Sequence, residues 1–279
     1  MGEQNRSIVI YYLFITLFAL VMIYPLLWMT SASFKEDVEI FQSPSLIPQN
    51  PTFNNYAYGW RGVSGYTFGR FLFNSFLISF IGIIANILSC SMTAFAFAKL
   101  DFRFRNIFFA IMMITLMLPF HVRLIPQYII FNKMGWVDTF LPLTVPRFFA
   151  TDGFFIFLLV QFMRNIPNEI MDAARIDGAS AWQIYARIMM PLSTPALVTV
   201  AIFTFIWTWN DFFSQMIYIS SPSKFTVSLA LRMFVDATGE SSWGALFAMS
   251  CVSLLPLFII FIVFQRFLVE GIMMGSLKG

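Results

Sequence analysis

The chain has 279 residues, 59% of them hydrophobic and only 11% charged, with a mean hydropathy of +0.77. A soluble domain carries about 25% charged residues, so no water-facing fold hides this much apolar surface, and lipid is the solvent for most of the chain. A secreted disulfide scaffold and an ordinary cytosolic enzyme are excluded, and a net charge of +3 without a basic run gives no nucleic-acid partner.

Charge-poor apolar windows predict one all-α transmembrane domain over residues 1–279 with six spans: 8–30, 71–98, 106–120, 140–163 (which contains Arg147 and Asp152), 195–219 (which contains Asp211) and 241–265. The first run exceeds the 7–15 residues of a signal-peptide apolar core and has only Arg6 before it, so a retained helix is expected. Residues 31–70, with Pro44, Pro48, Pro51, Gly59, Gly62 and Gly65, read as an irregular outer segment. Residues 121–139 hold His121, Arg123, Pro126, Gly135 and Asp138 and read as a short outer helix or a re-entrant stretch. Six spans put both termini on one side. With that side inside, nine Lys/Arg are inner (Arg6, Lys99, Arg103, Arg105, Arg164, Arg175, Arg187, Arg266, Lys278) and five outer (Lys35, Arg61, Arg70, Lys224, Arg232). Arg123, Lys133 and Arg147 fall to either side, so the balance agrees with cytoplasmic termini without fixing them. Cys90 and Cys251 sit in apolar runs and read as small packing residues. No internal repeat or second soluble domain is visible.

The most informative stretch is the polar loop 164–194, RNIPNEIMDAARIDGASAWQIYARIMMPLST. Asn168 after Pro167 is the expected N-cap, with Glu169 and Asp172 placing negative charge in the first turn. Asp177-Gly178 is the expected stop, since glycine takes a left-handed conformation without a Cβ penalty. Ser180 with Gln183 has the capping-box spacing and starts a second helix running toward Pro191. Ala173, Ala174, Ala179 and Ala181 keep the elbow slim enough for another surface to approach. An amphipathic pair resting on the membrane face is the alternative reading.

This loop resembles the cytoplasmic signature of permease subunits from binding-protein-dependent ABC importers. The family pattern is Glu-Ala-Ala, three residues, Gly, nine residues, Ile, one residue, Leu-Pro. Here it is met by Asp172-Ala173-Ala174, Gly178, Ile188 and Met190-Pro191, with Asp for Glu and Met for Leu. Glu169 lies one turn earlier, so the carboxylate role falls to Asp172 or Glu169. Asp177-Gly178-Ala179, Pro191-Leu192, Trp209-Asn210-Asp211, Trp243-Gly244-Ala245 and the Glu270-Gly271…Leu277-Lys278-Gly279 tail resemble the sugar-importer branch, in particular the maltose-type second permease.

The resemblance implies a type I ABC importer permease in a bacterial or archaeal cell membrane, both termini cytoplasmic. It implies a coupling helix built from Glu169, Asp172, Ala173, Ala174, Asp177, Gly178, Ala179, Ile188 and Pro191. That helix docks on a separate ATPase, present in two copies, which binds the ATP and Mg; a second, non-identical permease and an extracytoplasmic sugar-binding protein complete the assembly. The residues agree with such a division of labour. The chain has no G-x-x-x-x-G-K-[ST] loop and no nucleophile–base pair or metal constellation, so no cofactor or metal is expected in it. His121, the one histidine, reads as a loop hydrogen-bonder.

Charges inside spans cost roughly 2.5–3.5 kcal/mol at a helix centre and face a partner or water. Trp207, Asn210, Asp211 and Arg147 are therefore candidates for a translocation path, where aromatic faces stack on sugar rings and polar groups bind hydroxyls. For Asp211 a structural hydrogen bond between helices is the equal alternative. Arg147 and Asp152 are expected to neutralise one another; an unpaired Arg147 on the path favours an acidic over a neutral oligosaccharide. The face Ser79, Gly82, Asn86, Ser89, Thr93, Ala96 reads as close helix packing or a seam with the partner permease. The rival readings are a stand-alone secondary transporter or channel, which favours inverted repeats and ionisable relays, and a membrane scaffold, which needs no capped elbow.

Overall fold

A computed structural model describes residues 2–235 and 242–276 of the chain. The expected tail signature Leu277-Lys278-Gly279, the first residue of the expected sixth span (Ser241) and the side chain of Glu270 lie outside what it describes. The described residues are helical with a single isolated bridge, Val63 with Tyr66. They fall into two compact units, Met1–Arg70 with Ala230–Leu255, and Phe71–Leu229 with Pro256–Gly279.

In the first unit α1 (Gly2–Ala32) carries apolar side chains on all faces, the property of a helix whose solvent is hydrocarbon. The following segment departs from the irregular coil expected, because it holds two short helices, α2 (Asp37–Gln42) and α3 (Asn54–Arg61). Its centre is Lys35, only 1% exposed. Burying an ammonium is tolerable only when its protons are bonded, and Lys35 Nζ donates to the carbonyls of Ser45 (2.5 Å) and Ser43 (3.3 Å). Asn55 closes the knot by donating to the carbonyls of Ser33 and Lys35. Asp37 Oδ1 accepts from the Gly244 amide at 2.7 Å and so holds the first turn of the helix that begins at Trp243.

The second unit is threaded by α4 (Phe68–Lys99), an unbroken helix of 32 residues. α5 (Arg105–Met117) has 13 residues and stops at Leu118-Pro119; α6 (Phe120–Lys133) leaves at 101°. The expected third span is thus a bent pair, the proline withholding the amide the helix needed to continue. The expected fourth span is also interrupted: α7 (Leu141–Thr144) and a 3-10 turn (Val145–Phe149) precede Ala150 at φ +55, and α8 (Gly153–Arg164) follows. Then come α9 (Asn168–Ile176), α10 (Ala181–Ile184), a π turn (Tyr185–Met189) and α11 (Met190–Leu192). α12 (Thr194–Asn210) leaves after a 76° bend, and α13 (Phe213–Tyr218) and α14 (Val227–Met233) follow. α15 (Trp243–Ser276) completes the order.

Among the described residues four stretches, Ile10–Ala32, Phe68–Lys99, Leu141–Arg164 and Trp243–Arg266, are long and apolar enough to cross a bilayer, and up to six if each bent pair is one crossing. The core of the second unit joins Cys90, Ala94, Phe95 and Phe97 of α4 to Phe155, Ile156, Leu159, Val160 and Met163 of α8. Met171, Ile184, Tyr185 and Met189 of the polar loop and Ala196, Leu197 and Val200 of α12 belong to the same core. The polar loop is therefore rooted in the bundle.

Candidate functional site

The elbow at 164–194 is built by backbone bonds that its residue types dictate. The expected N-cap shifts by one: Pro167 occupies it, and Asn168, inside the first turn, uses Oδ1 to accept from Lys99 Nζ at 2.8 Å. Proline is suited there because it brings no amide to satisfy. Gly178 takes φ +79, and the Gly178 and Ala179 amides donate to the carbonyls of Arg175 (3.0 Å) and Ala174 (2.9 Å). That pair of bonds is the Schellman closure, satisfying two carbonyls that the helix end leaves open. Ser180 and Gln183 then form the reciprocal capping box, with bonds of 2.8 and 3.3 Å.

Burial divides the elbow into an inner and an outer face. Met171, Ile184, Tyr185 and Met189 are buried, whereas Ile176 is 87% and Trp182 62% exposed. A Cβ placed on Gly178 meets nothing within 4 Å, so the bend stands in open space. Asp172 pairs with Arg175 at 3.0 Å on the exposed side, and Glu169 is also exposed, so both candidate carboxylates are available. Ala173 and Asp177 are exposed, Ala174 and Ala179 half-buried. Ile188 sits half-buried in the π turn and Pro191 exposed in α11, so the second helix reaches Pro191 only through a widened turn.

The elbow is tied to α4 along one stripe. Ser91, Phe95 and Lys99 succeed one another at four-residue intervals and so share a face. The Tyr185 hydroxyl and Ser91 Oγ are 2.7 Å apart, the Tyr185 ring lies 5.6 Å from that of Phe95, and Lys99 Nζ also donates to the Ile166 carbonyl at 2.6 Å.

Further along α4 the small polar face packs within the chain. Asn86 donates to Thr204 Oγ1 (3.1 Å), Ser89 to the Arg147 carbonyl (2.6 Å) and Thr93 to the Ser89 carbonyl. Arg147 does not pair with Asp152. Its Nη1 donates to Thr208 Oγ1 at 2.5 Å, passing directly over Gly82. Asp152 precedes α8, where its carbonyl accepts from the Phe155 and Ile156 amides.

The other candidate path residues lie at the end of α12. Trp207 is half exposed and its ring stacks on Phe155, with centroids 5.1 Å apart. Asn210, three residues on, shares its face and donates to the Ile206 carbonyl. Trp209 is on the other side, buried and stacked on Phe205. Asp211 stands just past the helix, as its C-cap. α12 ends at Asn210, and Asp211 Oδ1 accepts from the Ser214 amide at 3.0 Å, capping α13 locally. Gln215 donates at 3.1 Å to the Thr208 carbonyl, which also accepts a longer bond from the Asp211 amide at the helix end. The structure thus joins Arg147 to α12 through Thr208.

Two groups were not legible from the sequence as sites. Asp138, at φ +60, accepts from the amides of Ser220 (3.0 Å) and Ser221 (2.8 Å), from Ser221 Oγ (2.5 Å) and from Lys224 Nζ (3.0 Å). Burial raises its carboxyl, but these bonds outweigh that and hold it well below the usual carboxylate range. His121, read as a loop residue, is in the first turn of α6 with its ring 5.2 Å from that of Phe213.

The fold is that of an ABC importer permease. A crystal structure of a bacterial ABC transporter involved in the import of the acidic polysaccharide alginate superposes with a TM-score of 0.83, covering 95% of this chain and 98% of that one at 22% identity. The chain belongs to the family described as the binding-protein-dependent transport system inner membrane component, whose pattern matches residues 80–273. It is 32% identical to the arabinooligosaccharides transport system permease protein AraQ of Halalkalibacterium halodurans, over 94% of this chain and 93% of AraQ. It is 30% identical to the sn-glycerol-3-phosphate transport system permease protein UgpE of Yersinia enterocolitica, over 98% of each. It is a multi-pass protein of the cytoplasmic membrane.

Proposed function

We propose that this permease carries a carbohydrate into the cytoplasm as one half of a two-permease path, driven by a separate ATPase gripping the elbow at Gly178. The observation that carries this reading is the elbow itself: a Schellman turn and a capping box back to back, with Gly178, Ile176 and Trp182 facing outward. A segment that merely linked two helices has no use for such specification. In this reading the chain crosses the membrane six times, with both termini and loop 164–194 cytoplasmic. It has no catalytic role. Glu169, Asp172, Ala173, Ala174, Asp177, Gly178, Ala179, Ile188 and Pro191 form the docking element. An extracytoplasmic binding protein delivers the cargo.

Trp207 and Asn210 line the path, Arg147 and Asp211 border it, and the cargo is an acidic oligosaccharide. What supports the acidic choice is Arg147, with which no carboxylate of the described residues forms an ion pair. Affinity-tagged permease is expected to co-purify with an ABC ATPase and a second permease. Reconstituted with the binding protein, the complex is expected to take up uronic-acid tetrasaccharides in an ATP-dependent manner. Uptake by the isolated chain without an ATPase would overturn the reading.

A further inference from the structure

We infer that α4 is the rod through which the elbow reaches Arg147, and that Lys99 and Tyr185 are the positioning residues fastening the elbow to it. The inference rests on the elbow being the docking element proposed above and goes beyond it, since it assigns the route inside the permease.

Following the chain, the way from Gly178 to Thr208 passes a π turn over Tyr185–Met189 and a 76° bend before α12. Both are places where displacement is absorbed rather than passed on, because a π turn widens the helix and a bend interrupts its bond ladder. α4 offers an alternative without a break. Its 32 residues contain no proline. At its inner end Lys99 Nζ holds both the Ile166 carbonyl and Asn168 Oδ1, the residues that lead into α9. One and two turns earlier, Phe95 and Ser91 hold Tyr185, which belongs to the other limb of the elbow. Both limbs are therefore fastened to one helix, over about 12 Å at 1.5 Å per residue.

The same helix continues to the upper contacts. Ser89 holds the Arg147 carbonyl, Asn86 holds Thr204, and Gly82 lets the Arg147 guanidinium pass to Thr208. A shift of the elbow along or about the α4 axis thus moves the groups that fix Arg147. Lys99 is only 9% exposed and Tyr185 5%, so neither bond is exchanged cheaply for water.

Hydrogen exchange on the assembled permease–ATPase complex tests this without a cargo, comparing the nucleotide-free state with a non-hydrolysable ATP analogue. In the parent, nucleotide is expected to change protection both in α9 and α10 and around residues 145–150 and 204–210. In the double variant Lys99→Met with Tyr185→Phe, the first change is expected to persist and the second to fall about fivefold, a typical size for a coupling between sites. Lys99→Arg is expected to retain the distal response. An undiminished change around Arg147 in the double variant, or loss of the α9 response together with it, would overturn the inference. Gly178→Leu serves as the control for the docking element: if it leaves both responses intact, that element is wrongly assigned, whereas loss of both in Gly178→Leu beside an intact distal response in the double variant refutes the rod alone.

Discussion

Arg147 reaches Thr208 across a glycine. A Cβ on Gly82 would crowd Arg147 Nη1, so the guanidinium would have to shift from its present place beside the hydroxyl. The two residues belong to segments 61 positions apart in sequence, and α4 supplies the gap between them.

Enlarging that position tests what the contact does. Gly82→Val is expected to push the guanidinium off Thr208 while leaving α4 helical, and Arg147→Gln to remove the charge with the glycine intact. In reconstituted vesicles both variants are expected to lose uptake of uronic-acid tetrasaccharides about tenfold, the size of one charge-assisted hydrogen bond, with uptake of neutral ones less affected. Equal effects on the two cargoes would remove Arg147 from the path.

Gly178 permits a sharper test because its Cβ direction is empty. A side chain there strains the backbone by about 1–2 kcal/mol through its left-handed angle without clashing inside the chain. Gly178→Leu is expected to insert and assemble yet uncouple ATP hydrolysis from uptake, and Gly178→Asn, which tolerates that angle, to do so less. Normal cargo-stimulated ATP turnover in the leucine variant would count against docking at the bend.

Removing the Ser180 hydroxyl is expected to loosen the second limb alone. Ser180→Ala breaks the bond from the Gln183 amide and should cost about 1 kcal/mol locally. Amide exchange in residues 181–184 should quicken about fivefold while α9 is unchanged. Exchange rising equally in both limbs would mean that they unfold as one piece.

Asp138 predicts a pH dependence of one sign. Its carboxyl is depressed in the folded chain, so its contribution is complete above the unfolded carboxylate value of about 3.9 and is lost as pH falls below it. Asp138→Asn is expected to lower the melting temperature of the detergent-solubilised protein by the same amount from pH 7 down to pH 5. The gap should close on further acidification. A gap that widens toward low pH would contradict the assignment.

The elbow could be read from sequence because its signals are local: Gly178 needs only its own angle, and Ser180 needs only Gln183 three residues on. Arg147 and Asp152 failed for the opposite reason. Unlike charges within one expected span should neutralise one another, but Ala150 takes a left-handed angle between them and the arginine is captured by a residue from α12. Lys99 looked like a mere end-of-span charge, since nothing near it in sequence announces that Asn168 will arrive there. The helix break beside Asp211 was not legible because the hydropathy of 195–219 is continuous, whereas the backbone turns where its carboxylate finds an amide three residues ahead.

The first helix has a consequence for how the protein tolerates change. The apolar stretch Ile10–Ala32 buries none of its most hydrophobic window against the chain's own residues. Exchanging one aliphatic side chain for another in that window leaves no void inside the chain to refill. A lone aspartate or lysine at its middle instead meets hydrocarbon, at roughly 2.5–3.5 kcal/mol. Toward its end, at Trp28, Ser31 and Ala32, the chain's own residues add a constraint.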